Sequence, residues 1–185
     1  MVKRMMVALC AMLLVGSVAR AQDAAVEMVE NPQYAAWKNH AVGTSVNLSM
    51  DMSMGGMNMQ QKAKQTLKSI ADDQIIVEME VEFMGQQNKQ EVPIPAKVKK
   101  GNELLPEGVE GTAKVTGREK VTVAGKEYDC EVVEIEGEQE GNKMKGKVFR
   151  TDEIPGGVAK VEMSGEMPGG QSMNMTMVVT EFEKK

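Results

Sequence analysis

The sequence predicts a mainly β domain: one antiparallel meander sheet of about nine strands, preceded by a short N-terminal helix. Three observations carry this reading. Apolar and polar residues alternate at a period of two through most of the chain after Gly43. Gly-containing turn pairs recur between the alternating runs, and no helical crossover separates them.

Taken in order, the chain opens on a targeting segment. Lys3 and Arg4 precede an apolar run from Met5 to Val15, and Ala19-Arg20-Ala21 supplies the small residues that a signal peptidase inspects. That is the layout of a cleavable secretory signal over residues 1–21, with the cut expected after Ala21. The apolar run falls well short of the roughly 20 residues a bilayer core demands, so no transmembrane segment is expected after cleavage. Cys10 lies inside the run and is preceded by Leu9 rather than by the small residue that lipidation requires.

Residues 22–43 read as a polar, mobile lead-in followed by the short helix. Asn31-Pro32 opens that helix, and Tyr34, Trp37 and Ala41 fall on one face of it. The β domain is expected over residues 44–185. Val46, Leu48, Met50, Met52 and Met54 alternate with polar residues up to Gly55-Gly56, a two-residue hairpin turn. Met57, Met59, Gln61, Ala63 and Leu67 continue on the returning strand, setting Met54 against Met57 and Met52 against Met59. From Ile75 to Met84, Ile75, Val77, Met79, Val81 and Phe83 face one way and Glu78, Glu80 and Glu82 the other. Glu91–Val98 reads as its partner, confined to an edge by Pro93 and Pro95.

A loop over residues 99–110 follows, then strands at Thr112–Val115, Glu119–Val123, Glu127–Glu136, Lys143–Arg150, Val158–Met163 and Ser172–Glu183. Ala124-Gly125, Gly141-Asn142, Pro155-Gly156-Gly157 and Pro168-Gly169-Gly170 supply the turns. Val46, Leu48, Ile75, Val77, Val81, Phe83, Val121, Val123, Val133, Ile135, Val148 and Val179 form the expected core. Tyr128, Cys130 and Val132 point one way and Val133 and Ile135 the other, which requires a bulge or a strand covered on both faces.

Several motifs resemble a known pattern. They are Val115-Thr116-Gly117, then Val121 to Cys130 (VTVAGKEYDC), then Lys147-Val148-Phe149-Arg150 and Ile154-Pro155-Gly156-Gly157-Val158-Ala159-Lys160-Val161-Glu162, with Trp37 and Gly43 ahead of them. Together they resemble exported bacterial proteins of unassigned function whose sheets are similar to the periplasmic lipoprotein carriers of the LolA type. The resemblance covers about a third of the chain and rests on turn signals. It implies a curved antiparallel half-barrel with a concave apolar face, often one that binds something greasy. It carries over no ligand-contacting residue.

Charge and composition narrow the function. Setting aside Lys3, Arg4 and Arg20 leaves 19 basic residues against 27 acidic ones, a net charge of −8. Such a chain, with no basic stripe, is not a nucleic-acid binder. Cys130 is the only cysteine beyond the signal, so no intrachain disulfide forms and the thiol is expected to be buried. His40 is the only histidine, which excludes histidine clusters. A Cys130–His40 nucleophile pair is a formal option, but Cys130 sits mid-strand and His40 trails a helix. The glutamates alternate as a solvated face does, and the Gly-rich spots lie between strands rather than before a helix. No catalytic residue is expected, and no cofactor.

Methionine is the unusual feature, at 18 residues in the chain. Met50, Met52, Met54, Met57 and Met59 fall in one hairpin-like segment, and Met163, Met167, Met173, Met175 and Met177 in another. Three readings stand side by side. The stripe is core, with thioethers in place of leucine and aromatics. Or it is an adaptable surface for a hydrophobic ligand or an envelope protein partner, with Met50, Met52, Met54, Met57, Met59, Met163, Met173, Met175 and Met177 as the contacting residues. Or it is a copper site, because thioethers select Cu(I). The run Ser49-Met50-Asp51-Met52-Ser53-Met54-Gly55-Gly56-Met57 resembles the Met-rich segments of periplasmic copper-handling proteins, though those usually include histidine. The combined expectation is an exported, periplasmic or extracellular, non-enzymatic β domain. Both methionine hairpins are expected to adjoin one apolar face that stays partly accessible.

Overall fold

The computed structural model describes residues 26–83, 86–106, 109–139, 141–167 and 171–185. The signal segment, Met84 and the Pro168-Gly169-Gly170 turn lie outside the described residues. The chain order is β1 (Met28–Glu30), α1 (Pro32–Lys38), β2 (Ser45–Met54), β3 (Met57–Ile70), β4 (Gln74–Phe83), β5 (Gln86–Pro95), β6 (Lys97–Lys99), β7 (Glu110–Val123), β8 (Lys126–Gln139), β9 (Asn142–Arg150), β10 (Val158–Met167) and β11 (Gln171–Glu183).

Nine of these strands form one antiparallel sheet in the order β5-β4-β3-β2-β11-β10-β9-β8-β7. It is therefore two meanders, β2–β5 and β7–β11, joined where β2 pairs with β11 at the centre. The segment between β5 and β7 crosses from one edge of the sheet to the other. On the way, β6 pairs with β1, so Met28–Glu30 is a strand and not the mobile lead-in that its polarity suggests. The sheet is curved: β7, at one edge, also contacts β10 and β11. Among the described residues the edges β5 and β7 do not pair with each other, and the sheet does not close into a barrel. Pro93 and Pro95 sit on the edge strand, where a missing N–H costs least.

Local chemistry explains the elements. The Asn31 side chain accepts the Gln33 N–H at 2.9 Å and caps α1, and Pro32 fills its first turn. The same side chain donates to the Pro95 carbonyl at 2.9 Å, tying the helix to the edge of the sheet. The helix ends at Lys38, so Ala41 lies beyond it and is exposed. Ala36 is buried beside Tyr34 and Trp37 instead. Gly55 and Gly56 both have positive φ, as a tight hairpin turn requires, and Met54 pairs with Met57 and Met52 with Met59. The segments predicted at Thr112–Val115 and Glu119–Val123 are a single strand, β7. It is interrupted only by a bulge between Val115 and Gly117.

Two apolar clusters hold the sheet. The larger joins Trp37 and Tyr34 to Val46, Leu48, Leu67, Ile75, Val77 and Ile94, and reaches Val121, Val123, Tyr128, Cys130, Val132 and Val179. The smaller comprises Val133, Ile135 and Val148, with Leu104 and Leu105 of the crossing segment packed on it. Strand β8 thus carries Val132 in one cluster and Val133 in the other, which accounts for its change of phase: it is covered on both faces. Val81 is half-buried rather than core. The side chain of Phe83 lies outside the described residues.

Candidate functional site

Directly paired residues in an antiparallel sheet point to the same face, so register alone assembles the methionines. One row runs Met59–Met52–Met175–Met163–Gly146–Ile135–Ala113 across seven adjacent strands. The row toward the turns runs Met57–Met54–Met173–Gly165–Met144–Gly137–Gly111. The row toward the core runs Gln61–Met50–Met177–Val161–Val148–Val133–Val115. All nine candidate methionines therefore share one face of β3, β2, β11 and β10.

Burial is graded along that face. Met50 and Met177 pack against the larger cluster. Met52, Met54, Met59, Met173 and Met175 are half-buried, and Met57 is 60% exposed. Met163 is buried at 6% exposure because its side chain lies across Gly146. A Cβ at Gly146 would fall 2.3 Å from the Met163 sulfur and 2.2 Å from the Glu162 carbonyl oxygen. Glycine at this point leaves room for the thioether of the next strand. Met144 completes the outer row, and the sequence alone does not mark it. Alone between Lys143 and Lys145, it gives no sign of the row it joins until the pairing with Gly165 is known.

The opposite face is polar. Its rows read Gln60–Asp51–Thr176–Glu162–Lys147–Glu134 and Asn58–Ser53–Asn174–Ser164–Lys145–Glu136. Gln60 donates to Asp51 at 2.9 Å, and Lys147 lies 3.6 Å from Glu134. Shallow depressions of about 460 and 750 Å³ run between these side chains. Several of its glutamates are held in ion pairs, among them Lys89–Glu80 at 2.8 Å.

The two nucleophile candidates are placed apart in kind. Cys130 is fully buried on β8, its thiol 3.6 Å from the Tyr128 carbonyl, and burial pushes its pKa up, with Asp129 adding to the shift. That is the setting of an inert thiol. His40 lies just beyond α1, and burial, then Lys184, lowers its pKa. Among the described residues, no group of three or more His, Cys, Asp or Glu side chains is placed to hold a metal ion. No helix among them is long and apolar enough to cross a membrane.

No family model and no curated protein matches the chain. Solved structures similar to it include MucB in complex with MucA(peri), at 11% identity and TM-score 0.41, over 83% of this chain and 55% of that one. The hypothetical lipoprotein YmcC from Escherichia coli is similar at 14% identity and TM-score 0.34, over 80% and 95% of the two chains. A putative outer membrane lipoprotein-sorting protein domain from Vibrio parahaemolyticus is similar at 10% identity and TM-score 0.29, over 83% and 89%. The chain thus spans little more than half the length of MucB. At these identities and TM-scores the likenesses carry no argument about ligand or partner.

Proposed function

We propose that the protein is an exported, non-enzymatic component of the bacterial cell envelope that binds a hydrophobic ligand on its methionine face. The observation that carries this reading is the uncharged surface built by Met52, Met54, Met57, Met59, Met173 and Met175, none of them fully buried. Charged side chains project from the other face of the same strands, so the part of the ligand received here is apolar. Thioethers suit such a surface because an unbranched, polarisable side chain repacks around different apolar outlines. The secretory signal read from residues 1–21 supports the compartment. The buried thiol of Cys130 and the glutamates held in ion pairs on the polar face support the absence of catalysis.

Titration with N-phenyl-1-naphthylamine, an uncharged apolar fluorophore, tests the reading. Wild type is expected to bind saturably. The M52Q/M59Q/M175Q variant is expected to bind about tenfold or more weakly, a loss of about 1.4 kcal/mol, with its far-ultraviolet circular dichroism unchanged. Equal binding by a folded glutamine variant would refute the proposal, and M52L/M59L/M175L is expected to bind as wild type does.

A further inference from the structure

The same register that builds an apolar surface also builds a grid of sulfurs. On the three adjacent strands β3, β2 and β11, Met59, Met52 and Met175 stand in one row and Met57, Met54 and Met173 in the next. Paired side chains on neighbouring strands leave Cβ positions about 5 Å apart, within reach of flexible thioethers converging on one point. The middle strand has sulfur donors on both sides, so three ligands are available from a single row. Single-strand Met-x-Met spacing lacks this, since residues two apart lie about 7 Å from each other.

The donor set is chemically narrow. Neither row contains histidine, cysteine or carboxylate on these three strands, so an ion held here sees neutral, soft sulfur alone. Such a set selects Cu(I) and discriminates against zinc, calcium and magnesium, which require nitrogen, thiolate or oxygen. Two further observations bound the site. Met163 belongs to the same row but is buried across Gly146, and Met50 and Met177 are packed on the core. The remaining six are reachable from solvent, with Met57 the most exposed. We propose that Met52, Met59 and Met175, with Met54, Met57 and Met173 adjoining, form a Cu(I)-binding site on the sheet. The site does not depend on the hydrophobic-ligand reading, although it uses the same surface.

The test is an anaerobic Cu(I) titration of the exported protein against bicinchoninic acid, followed by copper X-ray absorption. Wild type is expected to withdraw at least one equivalent of Cu(I), to ignore added Zn²⁺, and to show sulfur scatterers at about 2.3 Å, by analogy with thiolate–zinc bonds. The variant with Met52, Met54, Met57, Met59, Met173 and Met175 all changed to leucine keeps the apolar volume and is expected to lose Cu(I) affinity by at least about tenfold. It should still bind N-phenyl-1-naphthylamine, so the two proposals fail separately. M163L is expected to leave Cu(I) binding unchanged. Failure of wild type to compete with the chelator, a nitrogen- or oxygen-dominated absorption spectrum, or undiminished binding by the leucine variant would overturn the site. If the leucine variant does not fold, the wild-type spectrum decides.

Discussion

Two parts of one apolar face are built from different side chains, and they are covered differently. Toward β4 and β5 the face carries Leu67, Ile75, Val77 and Ile94, and α1 rests on it with Trp37 fully buried and the Tyr34 hydroxyl donating to the Ala71 carbonyl at 2.9 Å. Toward β8 and β9 it carries Val133, Ile135 and Val148 beneath Leu104 and Leu105. Between these capped flanks lie the methionines of β3, β2 and β11, half-buried or exposed. Branched side chains hold few rotamers and suit a fixed lid. Thioethers hold many, and suit a surface whose cover changes. Along this face the covered flanks carry branched and aromatic side chains, and the open middle carries thioethers.

Truncating the fixed lid is expected to have the largest effect. Trp37→Ala removes the anchor of α1 and is expected to cost about 3–5 kcal/mol in urea unfolding. A cost near zero would mean that α1 is not a permanent cover. Next comes the boundary between the two regions. Gly146→Ala drives a methyl into the Glu162 carbonyl and the Met163 sulfur, and is expected to cost about 1–3 kcal/mol. Swinging Met163 out would relieve only the sulfur contact and make that sulfur newly reactive toward peroxide, while the Glu162 carbonyl, being backbone, must still shift. The smallest effect belongs to the open region. Met57→Gln, at a side chain 60% exposed, is expected to stay within about 0.5 kcal/mol of wild type.

Much of this contrast is legible in the sequence because alternation survives folding. Val46 to Met54 and Ile75 to Phe83 read as strands, and the Gly55-Gly56 turn fixes their neighbours' register without tertiary information. The pairing of β2 with β11 is different in kind. It joins residues more than a hundred positions apart, and no local signal encodes it, yet it alone turns two methionine runs into one surface. Met144 is not legible for the same reason, since a row across strands has no period along the chain. Met28–Glu30 reads as lead-in for a related reason, since its partner Lys97–Lys99 is also remote in the chain. The bulge at Val115–Gly117 made one strand look like two, since the extra residue shifts the alternation by one.

The central claim is that the methionine face is open and takes up an apolar ligand, and per-residue peroxide footprinting with and without N-phenyl-1-naphthylamine tests it most directly. In the free protein Met57 is expected to oxidise first and Met163 last, following their exposure. With ligand, Met52, Met54, Met57, Met59, Met173 and Met175 are expected to be protected together. Met28, 48% exposed on β1, serves as the internal control and is expected to oxidise at the same rate in both samples. Protection confined to Met52, Met54, Met57, Met59, Met173 and Met175 is the result the account predicts. Uniform rates across these methionines, or equal protection at Met28, would contradict it.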